Sequence, residues 1–304
     1  MKLIKQSHEI WEQEMPPRLL NHDVFVTGYL KCMFEHIERC GRVCYKSEDK
    51  IGPGTAEKFV NGLIEAKHYA MLEHGTVYLT IPSAHWEDFT SFMFAYGSNP
   101  YSDYDDSECD WSTQIGNVYI TTNYRVLVEN RWTGDLAYVD VPTKHPQRVT
   151  VKLTTSRQIA LELIRHRPMS FAMESTRYCN YSKKRFGGEL KYISPNWIEN
   201  NPHEPILFED MHYTEGVNLF NDLLNRTEFV YNQLTLNYGW KPQQAAVVLP
   251  NALKADLVVT GFVKDWKHIF DLRVKGTTGA PHPQMLELMK PVYNEFVKRN
   301  YIQK

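Results

Sequence analysis

The spacing of apolar positions divides the chain into elements. Leu30, Met33, Phe34 and Ile37 recur at i, i+3, i+4 and i+7, which predicts an amphipathic helix over 28–44. After the Gly-Pro-Gly at 52–54, Phe59, Val60, Leu63 and Ile64 repeat that spacing. Val77, Leu79 and Ile81 alternate and then meet Pro82, the pattern of a short strand with its end marked. Residues 97–116 are turn-rich and acidic and predict a surface loop. Two strand-like runs follow, NVYITTNYRVLVEN and RVTVKLTT, with a polar stretch at 130–147 between them. The chain then turns helical. Thr155 or Ser156 caps a helix that includes Ile159, Leu163 and Ile164, and Pro168 is its expected stop. A long helix over 212–238 sets Phe220, Leu223, Leu224, Tyr231 and Leu234 on one side, with Gly239 closing it. Pro242 opens another helix that Pro250 ends, and further helices are expected at 264–274 and 283–299. Strands that come as neighbours, rather than alternating with helices, predict an α+β fold: an antiparallel sheet packed with helices in a single domain.

Charge narrows the partners. The 304 residues carry 34 Lys plus Arg against 36 Asp plus Glu, a net charge of −2. A nucleic-acid-binding module shows a strong basic excess, so that class is disfavoured, whereas a basic pocket for a small anion remains open. No apolar run approaches the ~18 residues of a membrane span, and the first residues carry acids where a leader would be apolar. Cys32, Cys40, Cys44, Cys109 and Cys179 are an odd number, as expected of reduced thiols in a cytoplasm. Mass scaling gives a folded surface of about 13,000 Å².

The usual nucleotide and metal signatures are missing. The chain has no GxGxxG after a strand, no GxxxxGK[ST], no HExxH and no pair of CxxC motifs, so no metal site is expected. What stands out is Arg165-His166-Arg167, followed after seven residues by Ser175-Thr176-Arg177. Cations at a helix end are explained by the macrodipole alone. The continuation is not: in an extended run Ser175 and Arg177 point the same way, and a hydroxyl beside a guanidinium makes a phosphate cradle.

RHR, seven residues, then Ser-x-Arg resembles the signature of the flavin-dependent thymidylate synthases. GRVCYKSED and HYAMLEH upstream, and AAVVLPNALKADLVVTG, WKHIFDLR and HPQ downstream, are similar to that family's segments in order and spacing. The likeness covers about 40–80 and 155–290, and 97–147 looks like an insertion. It implies an FAD-carrying α+β homotetramer with sites built between subunits. The implied reaction is reductive methylation of dUMP to dTMP with methylenetetrahydrofolate and NADPH.

By motif position, Arg165, His166 and Arg167 resemble the flavin-contacting triplet, with Arg165 also approaching the nucleotide. His68, Glu73 and His268 resemble further flavin contacts. Ser175, Thr176 and Arg177 look like the dUMP phosphate loop, and Glu162 like a polar dUMP contact. Arg273, in FDLR, resembles the catalytic arginine that lies against the uracil and favours ionisation at N3, as a fixed guanidinium does in a closed site. The chain departs from the pattern at Phe262 (usually Asn), Ala246 (often Arg) and Met173 (commonly Glu), with Glu174 expected to serve in the last role. Lys254, Lys183 or Lys184 are candidates to replace the charge missing at Ala246. Cys179 is a tempting nucleophile, but the resemblance points to chemistry without a covalent protein–dUMP bond. Two alternatives stand beside this reading: a flavin- or nucleotide-binding relative without synthase activity, and a nucleic-acid-binding module on the Arg/Tyr-rich 165–185 stretch.

Overall fold

The computed structural model describes residues 1–18, 21–82, 86–110, 112–113, 115–198, 204–208 and 210–303. Strands β1 (Lys2–Ile4) and β2 (Ser7–Trp11) precede the long helix α1 (His22–Tyr45). Helix α2 (Thr55–Glu65) and a 3-10 turn at Tyr69–His74 lead into β3 (Thr76–Pro82). Next come α3 (Trp86–Gly97), β4 (Asp103–Asp105), β5 (Asn117–Asn123) and α4 (Tyr124–Asn130). They are followed by β6 (Arg148–Ser156), α5 (Arg157–Leu163), β7 (Ser170–Met173) and β8 (Lys191–Ile193). The C-terminal part holds β9 (Ile206–Phe208), β10 (Met211–Tyr213), α6 (Gly216–Asn232) and α7 (Pro242–Ala245). It ends with β11 (Lys254–Phe262), α8 (Val263–Arg273) and α9 (Pro283–Lys298).

The central sheet runs β2-β6-β11-β7, every pair antiparallel. β11 pairs with β6 over its full length, from Lys254 opposite Ser156 to Phe262 opposite Arg148, and every residue of β11 is buried. Period-2 alternation sends Leu257 and Val259 to one face, where they meet Trp266 and Phe270 of α8 and Phe296 of α9. Val258 goes to the other face, with Cys40 and Val43 of α1. The other end of α1 buries Tyr29, Met33 and Ile37 against Val77, Leu79 and Ile120 of a second sheet, ordered β3-β5-β4. α1 is therefore the shared wall of two cores. Asn21 caps its start by accepting from the Val24 N–H, and Lys46, in the left-handed region at φ 46°, ends it.

The α+β architecture with antiparallel sheets agrees with the sequence pattern, and several boundaries move. The first strand-like run is strand only to Asn123, whose side chain then caps α4 by accepting from the Val126 N–H, so YRVLVEN is helical. The acidic 97–116 stretch contains a strand, β4, paired to β5. β11 had no alternation to betray it because helices cover both its faces. α5 stops at Leu163, before Pro168, and α6 starts at Gly216 because Met211–Tyr213 is taken by a hairpin with β9. Leu223 is 55% exposed, so the apolar stripe of α6 is wider than its buried face. β1 and β8 form a parallel pair outside the antiparallel scheme.

Two histidines cross this core. His36 on α1 bonds the Thr150 hydroxyl (3.1 Å), Thr150 meets its cross-strand partner Thr260 (2.8 Å), and Thr260 bonds His74 Nδ1 (2.8 Å). Burial, helped by Arg39 and Arg148, pushes His36 down to about 4. Burial, helped by His36 and Arg148, pushes His74 down to about 3. Below about pH 6.5 the unfolded chain takes up protons that the folded chain refuses. Stability is therefore expected to fall as pH drops from about 6.5 towards 4, by up to about 1.4 kcal/mol per pH unit for each histidine. Urea titrations across that range check this. The slope should flatten in His36→Gln, and a midpoint independent of pH would contradict the buried-neutral assignment.

Candidate active site

The RHR triplet sits just past α5. The His166 N–H closes onto the Leu163 carbonyl, which turns the chain out of the helix and leaves Arg165 and Arg167 exposed. Neither guanidinium has an ion pair among the described residues. α8 brings two partners to the triplet. Arg273 Nε donates to His166 Nε2 at 3.1 Å, and the His166 and His268 rings stand 6.3 Å apart at 69°. Asp271, the carboxylate nearest Arg273 in sequence, is paired with Lys275 at 3.0 Å and leaves Arg273 to the histidine. Burial lowers His166 to about 4, with Arg273, His268 and Arg165 adding to the effect. The imidazole is therefore neutral at physiological pH. Because Nε2 accepts, the proton lies on Nδ1, which is left to donate to a ligand.

The phosphate-loop candidate follows β7. It is extended to Met173 and then closes into a turn, with Tyr178 and Cys179 N–H groups on the Ser175 carbonyl and the Arg177 N–H on Ser175 Oγ (3.3 Å). Ser175 and Arg177 are thus joined by a side-chain-to-backbone bond, not by alternation along a strand. The Ser175 N–H anchors the turn to the Cys44 carbonyl of α1, and Tyr178 packs edge-on against Tyr45 at 5.1 Å. Arg177 is exposed and Thr176 half-buried. Arg177 has no ion pair among the described residues.

Glu174 does not join them. It is 2% exposed, turned inward, and surrounded by the Tyr181 hydroxyl (2.8 Å), Lys254 Nζ (2.7 Å) and Lys46 Nζ (3.2 Å). The expected substrate contact at Glu174 is therefore corrected: its carboxylate is consumed in holding the loop from below. Lys254 is also paired with Asp256, so it is not available to replace the charge missing at Ala246. Burial alone would lower the Lys254 pKa, but the two carboxylates raise it above the ordinary value. Lys183 and Lys184 remain exposed. Cys179 is fully buried and its thiol is pushed up to about 12, first by burial and then by Glu174, which leaves no thiolate for attack. Phe262 is buried beneath Arg148 and Lys264 at the head of α8.

His68 is exposed on a cleft of about 420 Å³ whose walls include Tyr45, Lys67, Tyr69, Met71 and Arg125. Through Tyr45 this cleft adjoins the phosphate-loop candidate. Glu73 turns from it into an ion pair with Arg125 at 2.5 Å. Glu162 is half-buried on α5. No hydrogen bond, ion pair or ring contact among the described residues joins the His166–His268–Arg273 group to the His68 cleft. The sequence reading missed Arg125, hidden in an apolar run read as strand, and Lys46, which stood in the quoted GRVCYKSED segment without a role.

Guanidiniums without an ion pair among the described residues, a neutral imidazole with a free donor, and an aromatic-walled cleft suit a phosphate-bearing, planar ligand, and they stand on an α+β fold with antiparallel sheets. Residues 140–299, more than half of the chain, match the family described as thymidylate synthase complementing protein, and the chain belongs to that family, as its motifs implied. A flavin-dependent thymidylate synthase of Corynebacterium glutamicum is 34% identical over 122 residues, which is 39% of this chain and 46% of that protein. One from Mycolicibacterium vanbaalenii is 25% identical over 242 residues, 78% of this chain and 66% of that protein. The matches thus span about half to two thirds of these relatives' lengths. Among solved structures, a UMP/dUMP methylase from Streptomyces cacaoi bound with 5-Br dUMP aligns with TM-score 0.42 and 14% identity, covering 98% of this chain and 93% of that one. A flavin-dependent thymidylate synthase from Helicobacter pylori, complexed with FAD and dUMP, aligns with TM-score 0.36 and 12% identity, covering 88% and 91%.

The buried cluster under the loop yields a test. Lys254→Met strands Glu174 and Asp256 with fewer partners, and the expected cost is about 3–5 kcal/mol, the scale for breaking a buried pair from one side. Equilibrium denaturation measures it. A loss under about 1 kcal/mol, the scale of an exposed pair, would show that the cluster is solvated.

Proposed function

We propose that this chain is a flavin-dependent thymidylate synthase. In this reading it binds FAD without a covalent link and methylates dUMP to dTMP with methylenetetrahydrofolate and NADPH. It works as a cytoplasmic homotetramer. The observation that carries the reading is the Arg273–His166 hydrogen bond, which ties the FDLR arginine to the RHR triplet across 107 positions of sequence.

In this reading the Ser175 hydroxyl, Thr176 and Arg177 seat the dUMP phosphate, with Arg165 and Glu162 reaching the nucleotide. Arg165 and Arg167 offer guanidiniums to the FAD pyrophosphate, and His166 offers its Nδ1–H. His68, Glu73 and His268 complete the flavin contacts. When bound, FAD supplies the reducing electrons for the transferred one-carbon unit. Arg273 lies against the uracil and holds the negative charge left when N3 loses its proton. His166 fixes the direction of that guanidinium through Nε.

The assembly is supported from three sides. The chain exposes 16,373 Å², about 3,000 Å² above what a monomer of its mass exposes. Leu219, Leu223, Phe229, Val230, Leu236 and Tyr238 are 40–74% exposed along and just beyond α6, an apolar surface that a second copy would cover. Among the described residues no hydrogen bond, ion pair or ring contact joins the two groups of flavin candidates. No helix among the described residues is long and apolar enough to cross a membrane, and all five cysteines are free.

A second reading, a flavin-binding relative without synthase activity, is favoured by one observation: Lys254 is locked away and does not make good the charge missing at Ala246. Purified protein is expected to be yellow and to oxidise NADPH faster when dUMP is present. A preparation that stays colourless after FAD is added would defeat both readings, and one that holds FAD but does not respond to dUMP would favour the second. Arg273→Ala is expected to cut turnover by about 10²–10³ while FAD content stays near wild type. Steady-state kinetics decide it, and a variant that kept most of its rate would remove Arg273 from the chemistry.

A further inference from the structure

The segment that carries β5 and α4 lies outside the stretches in which the family likeness was read, yet it reaches the cleft that holds His68. Arg125, the second residue of α4, has Nη1 2.5 Å from Glu73 Oε1 and Nη2 2.9 Å from Glu129 Oε1. Its Nε stands 2.9 Å from Glu129 Oε2. The guanidinium is a fork between two carboxylates. It lines the larger cleft with His68 and Tyr69, and a smaller one, of about 140 Å³, with Glu73 and Asn123. The Glu73 side chain is only 14% exposed, and Arg125 is its one ion-pair partner among the described residues.

The fork is presented from a rigid base. Asn123 caps α4, the Tyr124 N–H bonds the Gly75 carbonyl at 2.9 Å, and Val126 and Leu127 are buried in the core shared with α1. The arginine is therefore held where it is by packing on the same element that delivers it.

We propose that Arg125 is a positioning residue for the cofactor cleft: from the cleft wall that it shares with Glu129 it holds the Glu73 carboxylate turned into the smaller neighbouring cleft, and it cancels one of the two negative charges next to an anionic dinucleotide. This rests on the flavin reading above. A planar fork holds two carboxylates in one geometry, as a lysine's single ammonium does less well. Without it, two like charges repel, Glu73 loses the partner that aims it, and the local charge goes from one negative to two beside a pyrophosphate. Residues 117–130 are then part of the cofactor site, built from the segment that looked inserted.

The test is FAD titration of the purified full chain, followed by flavin fluorescence and visible absorption, in wild type, Arg125→Gln and Arg125→Lys. Arg125→Gln is expected to weaken FAD binding about 10- to 100-fold and to shift the absorption band of the bound flavin. Arg125→Lys should recover a substantial part of both, with the thermal midpoint of the flavin-free protein near wild type. Arg125→Gln binding FAD as wild type does, with the same spectrum, overturns the proposal alone. Equal losses in both variants with lowered thermal midpoints mark a merely structural arginine and also overturn it. A wild-type chain that takes up no flavin overturns this proposal and the functional reading together.

Discussion

The pairing of β11 with β6 is the constraint on which the rest hangs. Nine consecutive residues of β11 are buried, so every backbone N–H and C=O must find its partner in the sheet or remain unsatisfied in a dry interior. That requirement keeps the strand paired along its length, the side chains packed on its two faces set the register, and the register fixes the functional groups at both ends. At its start, Lys254 is delivered beneath the Ser175 turn. At its end the chain enters α8 at Val263, and the helical period then sets where His268 and Arg273 emerge. A slip of one residue would turn Val258 and Leu257 to the wrong cores and carry Arg273 away from His166.

Charge is used in two regimes within this frame. Exposed pairs such as Lys31–Glu35, at 4.0 Å, contribute at most about 1 kcal/mol. The cluster of Glu174, Lys254, Lys46 and Asp256 is different in kind because its members are mostly withdrawn from water. Two cations balance two anions there, and the Tyr181 hydroxyl takes up a further acceptor site on Glu174. The cluster tethers the end of β7 to β11 and to the last turn of α1. The Ser175 turn above it adds its own bonds, to the Cys44 carbonyl and within the turn, to that foundation. The pairing within the cluster is why Glu174 and Lys254 have nothing left to offer a ligand.

What was legible in the sequence was what repeats or what stands together. Helices were expected at 264–274 and 283–299, where α8 and α9 lie, and the RHR triplet and Ser-x-Arg turn are contiguous motifs. What was not legible depends on tertiary partners. β11 carries no alternation because both its faces are covered. YRVLVEN looks like strand until Asn123 is seen to cap it. Glu174 reads as a substrate contact beside a phosphate loop, and only the fold reveals that Lys46 and Lys254 converge on it from 128 and 80 residues away. Arg125 shares that history: a single charge in an apolar run says nothing of Glu73, 52 residues earlier.

The unpaired arginines are best understood through their solvent. Arg165, Arg167 and Arg177 cost little while water screens them, since two unit charges 4 Å apart interact by only about 1 kcal/mol in bulk water. At a partly excluded surface the same pair is worth about 4 kcal/mol. Their strength as anion receptors therefore depends on what covers them. A single chain leaves them open, with no bond among the described residues between the His68 cleft and the His166 group, and with an apolar surface on α6 exposed. On the proposed assembly a second copy covers that surface, and any guanidinium that the subunit contact also covers loses water and holds an anion more strongly. Subunit association would then strengthen such a guanidinium without any change in the residues themselves.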